Sequence, residues 1–149
     1  MRGNNSVSVI SFGKRFRDHE APVKKRALFI LKELGQKNVA VDIYLAGDAL
    51  MHRLNRIFRG KNKVANILSF EEPPIPHPES KKKVLGEIYL NPGFVKDWIP
   101  ARFHARPTVF TLDRFLAHGI LHLLGFGHKT KNARIRMEKL EKRIMNSSS

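Results

Sequence analysis

Apolar positions recur along this chain with two different periods, and the switches between them mark out its elements. Val7, Val9 and Ile10 suggest a short first strand within residues 1–12. From Pro22, the residues Val23, Ala27, Ile30, Leu31 and Leu34 fall at helical spacing, with Pro22 suiting the helix start and Gly35 its end. Lys24, Lys25 and Arg26 are read as the solvated side of that helix. Val39, Val41, Ile43 and Leu45 then alternate with Ala40, Asp42 and Tyr44, the pattern of a strand with one buried face. Asp48 is read as the cap of a second helix, whose apolar face is Leu50, Met51, Leu54, Ile57 and Phe58. Two further strands are expected at 65–71 and 84–90. The stretch between them holds Pro73, Pro74, Pro76 and Pro78 and has no period of its own, so it is read as a stiff loop, a flap near any substrate path.

Asn91-Pro92-Gly93 reads as a turn, followed by a short helix around Phe94 to Ile99. Pro107 and Thr108 favour the start of a central helix running to about Leu124. Its apolar residues, from Val109 and Phe110 through Phe115, Leu116, Ile120 and Leu121, surround most of its circumference, which predicts a buried helix. Ala133, Met137, Leu140 and Ile144 place an amphipathic closing helix over Lys131 to Met145. The order β, α, β, α, β, β, then helices predicts an α+β fold over residues 1–149. It is a single domain with a mixed sheet of about four strands packed on helices. The last two strands, joined by a loop, are expected to pair antiparallel; the pattern leaves the strand order open.

Charge changes this picture most. Twenty-eight Lys and Arg against 13 Asp and Glu give +15, which argues for a polyanionic partner, nucleic acid first and an acidic membrane surface second. From Arg53 to Lys63 there are five basic residues and no acidic one, so this stretch is the first candidate for phosphate contacts. With no cysteine, neither a disulfide framework nor a thiolate metal site is available. No apolar run approaches the roughly 18 residues of a membrane span. Arg2 and the nearby serines do not make an organelle presequence, because the first strand is expected to begin at once.

Chemistry concentrates in His118-Gly119-Ile120-Leu121-His122-Leu123-Leu124-Gly125-Phe126-Gly127-His128. Residues four apart share a helix face, about 6 Å apart along the axis, so His118 and His122 are able to address one ion. His128 would lie too far along a continuous helix. Gly125 tolerates the left-handed conformation that ends helices and lets the chain fold back toward the same point. Three histidines with a fourth position open are the arrangement of catalytic zinc, although nickel, copper or iron would also accept them. The helical zinc signature of one metalloprotease class has this histidine and glycine spacing, but its general-base glutamate is replaced here by Gly119.

This segment resembles the H-G-x-L-H-L-x-G-[aromatic]-D-H signature of the YbeY family of endoribonucleases. Three more segments match in order: Leu54-Asn55-Arg56-Ile57-Phe58-Arg59-Gly60-Lys61, Ile67-Leu68-Ser69-Phe70 and Leu85-Gly86-Glu87-Ile88. Two departures stand out. Gly127 replaces the family's aspartate before the third histidine, and Ala65-Asn66 replaces Thr-Asp before the V-L-S-F strand. The resemblance implies a small, single-domain, cytoplasmic bacterial enzyme that cuts single-stranded rRNA in 16S rRNA 3′-end maturation and ribosome quality control, using metal-activated water or a metal-polarised phosphate. It also implies one divalent metal ion, Zn2+ by preference, on His118, His122 and His128. Arg59, which coincides with the family's functional arginine, and Lys61 would hold the substrate phosphate, and the partners would be rRNA or the ribosomal subunit, with a ribosomal protein as a further one. Glu87, in a matched strand, is the one carboxylate there to weigh as a general base or as structural. The main alternative is a non-enzymatic ribosome assembly factor with a structural metal; a zinc hydrolase of peptides is disfavoured by Gly119 and by the charge.

Overall fold

A computed structural model describes residues 4–72, 82–96, 98, 111–127 and 129–146. The elements run β1 (Ser6–Ser11), α1 (Glu20–Glu33), β2 (Val39–Leu45), α2 (Asp48–Arg59), β3 (Ile67–Glu71), β4 (Lys83–Leu90), α3 (Leu112–Leu123) and α4 (Lys131–Asn146), with 3₁₀ turns at Lys14–His19 and Pro92–Phe94. The sheet order is β1-β2-β4-β3. β1 and β4 both pair parallel with β2, while β3 pairs antiparallel with β4 and forms an edge. The fold is therefore α+β with a four-stranded mixed sheet, and β3 and β4 pair antiparallel as expected.

One face of the sheet builds the main core. Val39, Val41, Ile43 and Leu45 of β2 and Ile88 and Leu90 of β4 are buried with Val23, Ala27, Ile30 and Leu31 of α1 and Leu112, Leu116 and Ile120 of α3. Each such aliphatic side chain contributes about 1.5–3 kcal/mol on burial. That packing, more than intrinsic propensity, keeps α3 helical despite Gly119. The other face carries a smaller cluster of Ala46, Met51, Ala65 and Leu68 under α2. A row of aromatic rings also crosses it. Phe12 stacks on Tyr44 at 5.5 Å and Tyr44 on Tyr89 at 4.9 Å, and Phe70 meets Tyr89 edge-on at 5.8 Å.

Several local expectations are corrected. α1 begins at Glu20, ahead of Pro22, because the first turn leaves its N–H groups unbonded and tolerates proline there. Arg26 is not on the solvated side; it is buried in an ion pair with Asp113 of α3, with Nε to Oδ1 at 2.8 Å and Nη2 to Oδ2 at 2.9 Å. Gly47, not Asp48, is the N-cap of α2. Asp48 is the first helical residue, where its carboxylate suits the helix dipole and accepts a hydrogen bond from Asn91 Nδ2 at 2.8 Å. After the turn at Pro92–Phe94, Val95 is extended, so no helix runs on from Phe94. α3 starts only at Leu112. Thr111 is extended and its hydroxyl caps Arg114 N–H at 3.3 Å, so Thr111 supplies the start signal assigned above to Thr108. Residues 99–110 and the proline-rich loop from 73 to 81 lie outside the described residues.

Candidate active-site cleft

Two helix ends and one sheet edge enclose a cleft of about 900 Å³. Asn55, Arg59, Lys61 and Lys63 line it on the α2 side, Ile67 and Ser69 on β3, and His118, His122, Phe126 and Gly127 on the α3 side. Both helices stop by the same device. Gly60 follows α2 with φ 69°, and the N–H groups of Gly60 and Lys61 return to the carbonyls of Arg56 and Asn55. Gly125 follows α3 with φ 95°, and the N–H groups of Gly125 and Phe126 return to His122 and Leu121. These are glycine-terminated helix caps, in which a left-handed residue turns the chain while consuming the last free carbonyls. As a result Lys61 follows Arg59 around the cleft, and residues 126–127 turn back to line it.

The loop bearing the lysines is tied to α2. Buried Asn55 donates from Nδ2 to the Lys63 carbonyl at 3.0 Å, and His52 Nε2 lies 2.7 Å from Asn62 Oδ1. Arg59 is exposed yet oriented: Nη2 donates to the Ser69 carbonyl at 2.7 Å, and the guanidinium sits 4.9 Å from the centroid of Phe70. Its remaining donors are available in the planar fork that suits a phosphate.

Across the cleft, His118 and His122 are half-buried on α3, with their Nε2 atoms 3.0 Å apart. Two imidazoles sharing one tetrahedral zinc at about 2.0–2.1 Å each would hold those atoms about 3.3 Å apart. The observed separation, at which one Nε2–H would donate to the other, is close to that figure. Among the described residues no set of three potential ligands converges. The expected third, His128, lies outside the described residues, although the turn that would direct it back is present at Gly125.

Gly119 has a packing cause. A Cβ there would stand 3.1 Å from both Ile67 Cδ1 and Ile88 Cδ1 and 3.2 Å from Ser69 Oγ. Helix α3 lies so close to β3 and β4 that a glutamate at this position would be driven into the sheet. Gly127 is the opposite case, since among the described residues a Cβ there meets nothing within 4 Å. Glu87 is placed by strand alternation on the far sheet face, in register with Asp42 and away from α3. The Tyr44 and Tyr89 hydroxyls on that face are pushed above their ordinary pKa first by burial and then by the Glu87 charge. This position excludes Glu87 as a base within the cleft. A carboxylate that the sequence reading passed over is Glu141 of α4, buried with Oε2 3.8 Å from His118 Nδ1. Its signal was present: it sits between Met137 and Ile144, on the stripe where an apolar residue is expected.

Similarity to known proteins extends over most of the chain. The family model described as Endoribonuclease YbeY matches residues 10–149. The chain is 40% identical over 121 residues to Endoribonuclease YbeY of Thermodesulfovibrio yellowstonii, covering 78% of this chain and 74% of that one. It is 33% identical over 136 residues to Endoribonuclease YbeY of an Anaeromyxobacter species, covering 91% and 68%. Among solved structures it is similar to the solution structure of TM1509 from Thermotoga maritima, at 26% identity and a TM-score of 0.47, over 93% of this chain and 88% of that one.

Proposed function

The chain belongs to the YbeY family of endoribonucleases, hydrolytic enzymes that cut within RNA, and from that premise we propose that its substrate is single-stranded rRNA. The proposed role is 16S rRNA 3′-end maturation and ribosome quality control in the bacterial cytoplasm, with the ribosomal subunit as partner and a ribosomal protein as a further contact. The observation that carries this reading is the facing of His118 and His122, with Nε2 atoms 3.0 Å apart, across one cleft from Arg59, Lys61 and Lys63. A nitrogen pair suited to a divalent cation thus faces side chains suited to a phosphodiester.

His118, His122 and His128 are the proposed holders of one divalent ion, with Zn2+ favoured by an all-imidazole set that leaves a position open. When bound, such an ion supplies Lewis acidity toward a phosphoryl oxygen or an attacking water. Arg59 donates its free N–H groups to the scissile phosphate, held in aim by the Ser69 carbonyl and the Phe70 ring, and opposes the charge that develops there. Lys61 adds a point charge from a loop already fixed by Asn55 and Asn62, so little ordering is required when RNA binds.

The test is cleavage of an rRNA 3′-region fragment by the native protein and His122→Ala purified in parallel. Cleavage by the native protein alone supports the reading. Equal cleavage by both overturns the role of the histidine site. Binding by both with cleavage by neither favours a non-enzymatic assembly role.

A further inference from the structure

The buried carboxylate of Glu141 needs a physical reason. Met137 and Ile144, its neighbours four before and three after, are fully buried on the same face of α4, and Glu141 itself is only 6% exposed. A carboxylate in such a place costs several kcal/mol unless polar groups compensate it. The imidazole of His118 stands against it, with Nδ1 3.8 Å from Oε2. The other ring nitrogen of His118 is the one that faces His122. His118 is thus held between a carboxylate at one end and the proposed metal position at the other.

The geometry points to Glu141 as the positioning residue of the site, which fixes the tautomer and the aim of His118. The inference rests on the metal reading above and deepens it. A neutral imidazole carries its proton on one nitrogen and a lone pair on the other. With the lone pair on Nδ1, two electron-rich groups would face each other where the Glu141 side of the contact is buried and the imidazole is partly exposed; with the proton there, the contact is attractive. The 3.8 Å approach is longer than a hydrogen bond, so the preference is electrostatic in this geometry and strengthens if the contact shortens. The tautomer protonated at Nδ1 leaves the Nε2 lone pair directed toward His122, the form a divalent cation requires.

The test compares native protein, Glu141→Gln, which keeps an acceptor of the same shape, and Glu141→Met, which keeps the volume and removes the acceptor. In metal-free protein, nitrogen NMR of labelled histidine is expected to show His118 protonated at Nδ1 in the native chain. The Gln variant should stay mostly so, and the Met variant should shift toward protonation at Nε2. Zinc affinity measured by chelator competition should fall about ten- to hundredfold in the Met variant and less in the Gln variant. The denaturant midpoint of each variant is measured alongside, so that a loss of zinc affinity is separated from a loss of folding. An unchanged His118 tautomer in the Met variant, or zinc affinity within about twofold of native, overturns the assignment. If the Met variant does not fold, a Gln variant with native tautomer and unweakened zinc binding overturns the role of the charge. Should the native protein bind no zinc, the metal reading fails on its own, while the tautomer comparison still decides the part played by Glu141.

Discussion

Arg26 and Arg59 carry the same guanidinium group into opposite surroundings. Arg26 is 6% exposed and closed on Asp113 by two parallel hydrogen bonds, tying α1 to the start of α3. Arg59 is exposed and anchored by one carbonyl and one ring, and among the described residues no carboxylate pairs with it. The first charge has been neutralised by the fold and is architecture. The second is oriented but left with donors to spare, facing a cleft. On the far face of the sheet, the Glu87 charge acts on Tyr44 and Tyr89 beside it rather than on the cleft. In a chain of net charge +15, the informative cations are those that the protein aims without neutralising.

The contrast is broken most severely by stripping the open side of its chemistry. His122→Ala should lower RNA cleavage by about a thousandfold or more, as expected when a group supplying several kcal/mol of transition-state stabilisation is lost. Cleavage assays checked by circular dichroism would read this, and the variant should remain folded. On the closed side, Arg26→Ala takes from buried Asp113 the guanidinium paired with it and should destabilise the protein by about 3–5 kcal/mol. Specific activity per folded molecule should hold. The double variant Arg26→Met with Asp113→Leu should recover most of that stability in urea unfolding, because no charge is then stranded.

Arg59→Ala should invert the result for Arg26. The expected loss is about 10²–10³ in kcat/KM, comparable to removing one preorganised donor from a developing anion. Its unfolding midpoint should move by less than about 0.5 kcal/mol, the usual range for an exposed substitution. Arg59→Lys should restore only part of the rate, since an ammonium cannot reproduce the planar fork. A large stability loss in Arg59→Ala would place it with Arg26 and dissolve the contrast.

The smallest effect belongs to the tyrosines. Their folded pKa values lie above the ordinary 10.0, so above that pH the unfolded chain releases protons that the native chain retains. Their contribution to stability is complete below pH 10 and declines as pH rises through the folded values. Urea midpoints between pH 8 and 11 should therefore fall on the alkaline side. Tyr44→Phe should flatten that limb, and an unchanged slope would remove the link.

Much of the fold was legible because its signals are local. The alternation in Val39–Leu45 needs only a strand with one wet face, and the amphipathic spacing in Asp48–Arg59 only a helix lying on a sheet. The histidine segment was equally plain: the four-residue spacing gave the shared face, and Gly125 gave the stop. What escaped has non-local causes. Arg26 looks like one more basic residue beside Lys24 and Lys25 until Asp113, 87 positions later, is brought against it. The Lys14–His19 turn has no periodicity to announce it.

The chain by itself determined its strands and main helices, the stop after α3 at Gly125 and the shared face of His118 and His122, because each depends on backbone geometry over a few residues. Only the tertiary structure decided that β4 lies between β2 and β3, that Gly119 sits tightly against the sheet, that Glu87 faces away and that Glu141 stands behind His118. Those outcomes depend on how close distant segments come once the core is packed. Packing distance is a property of the assembled volume, and no short window of sequence encodes it.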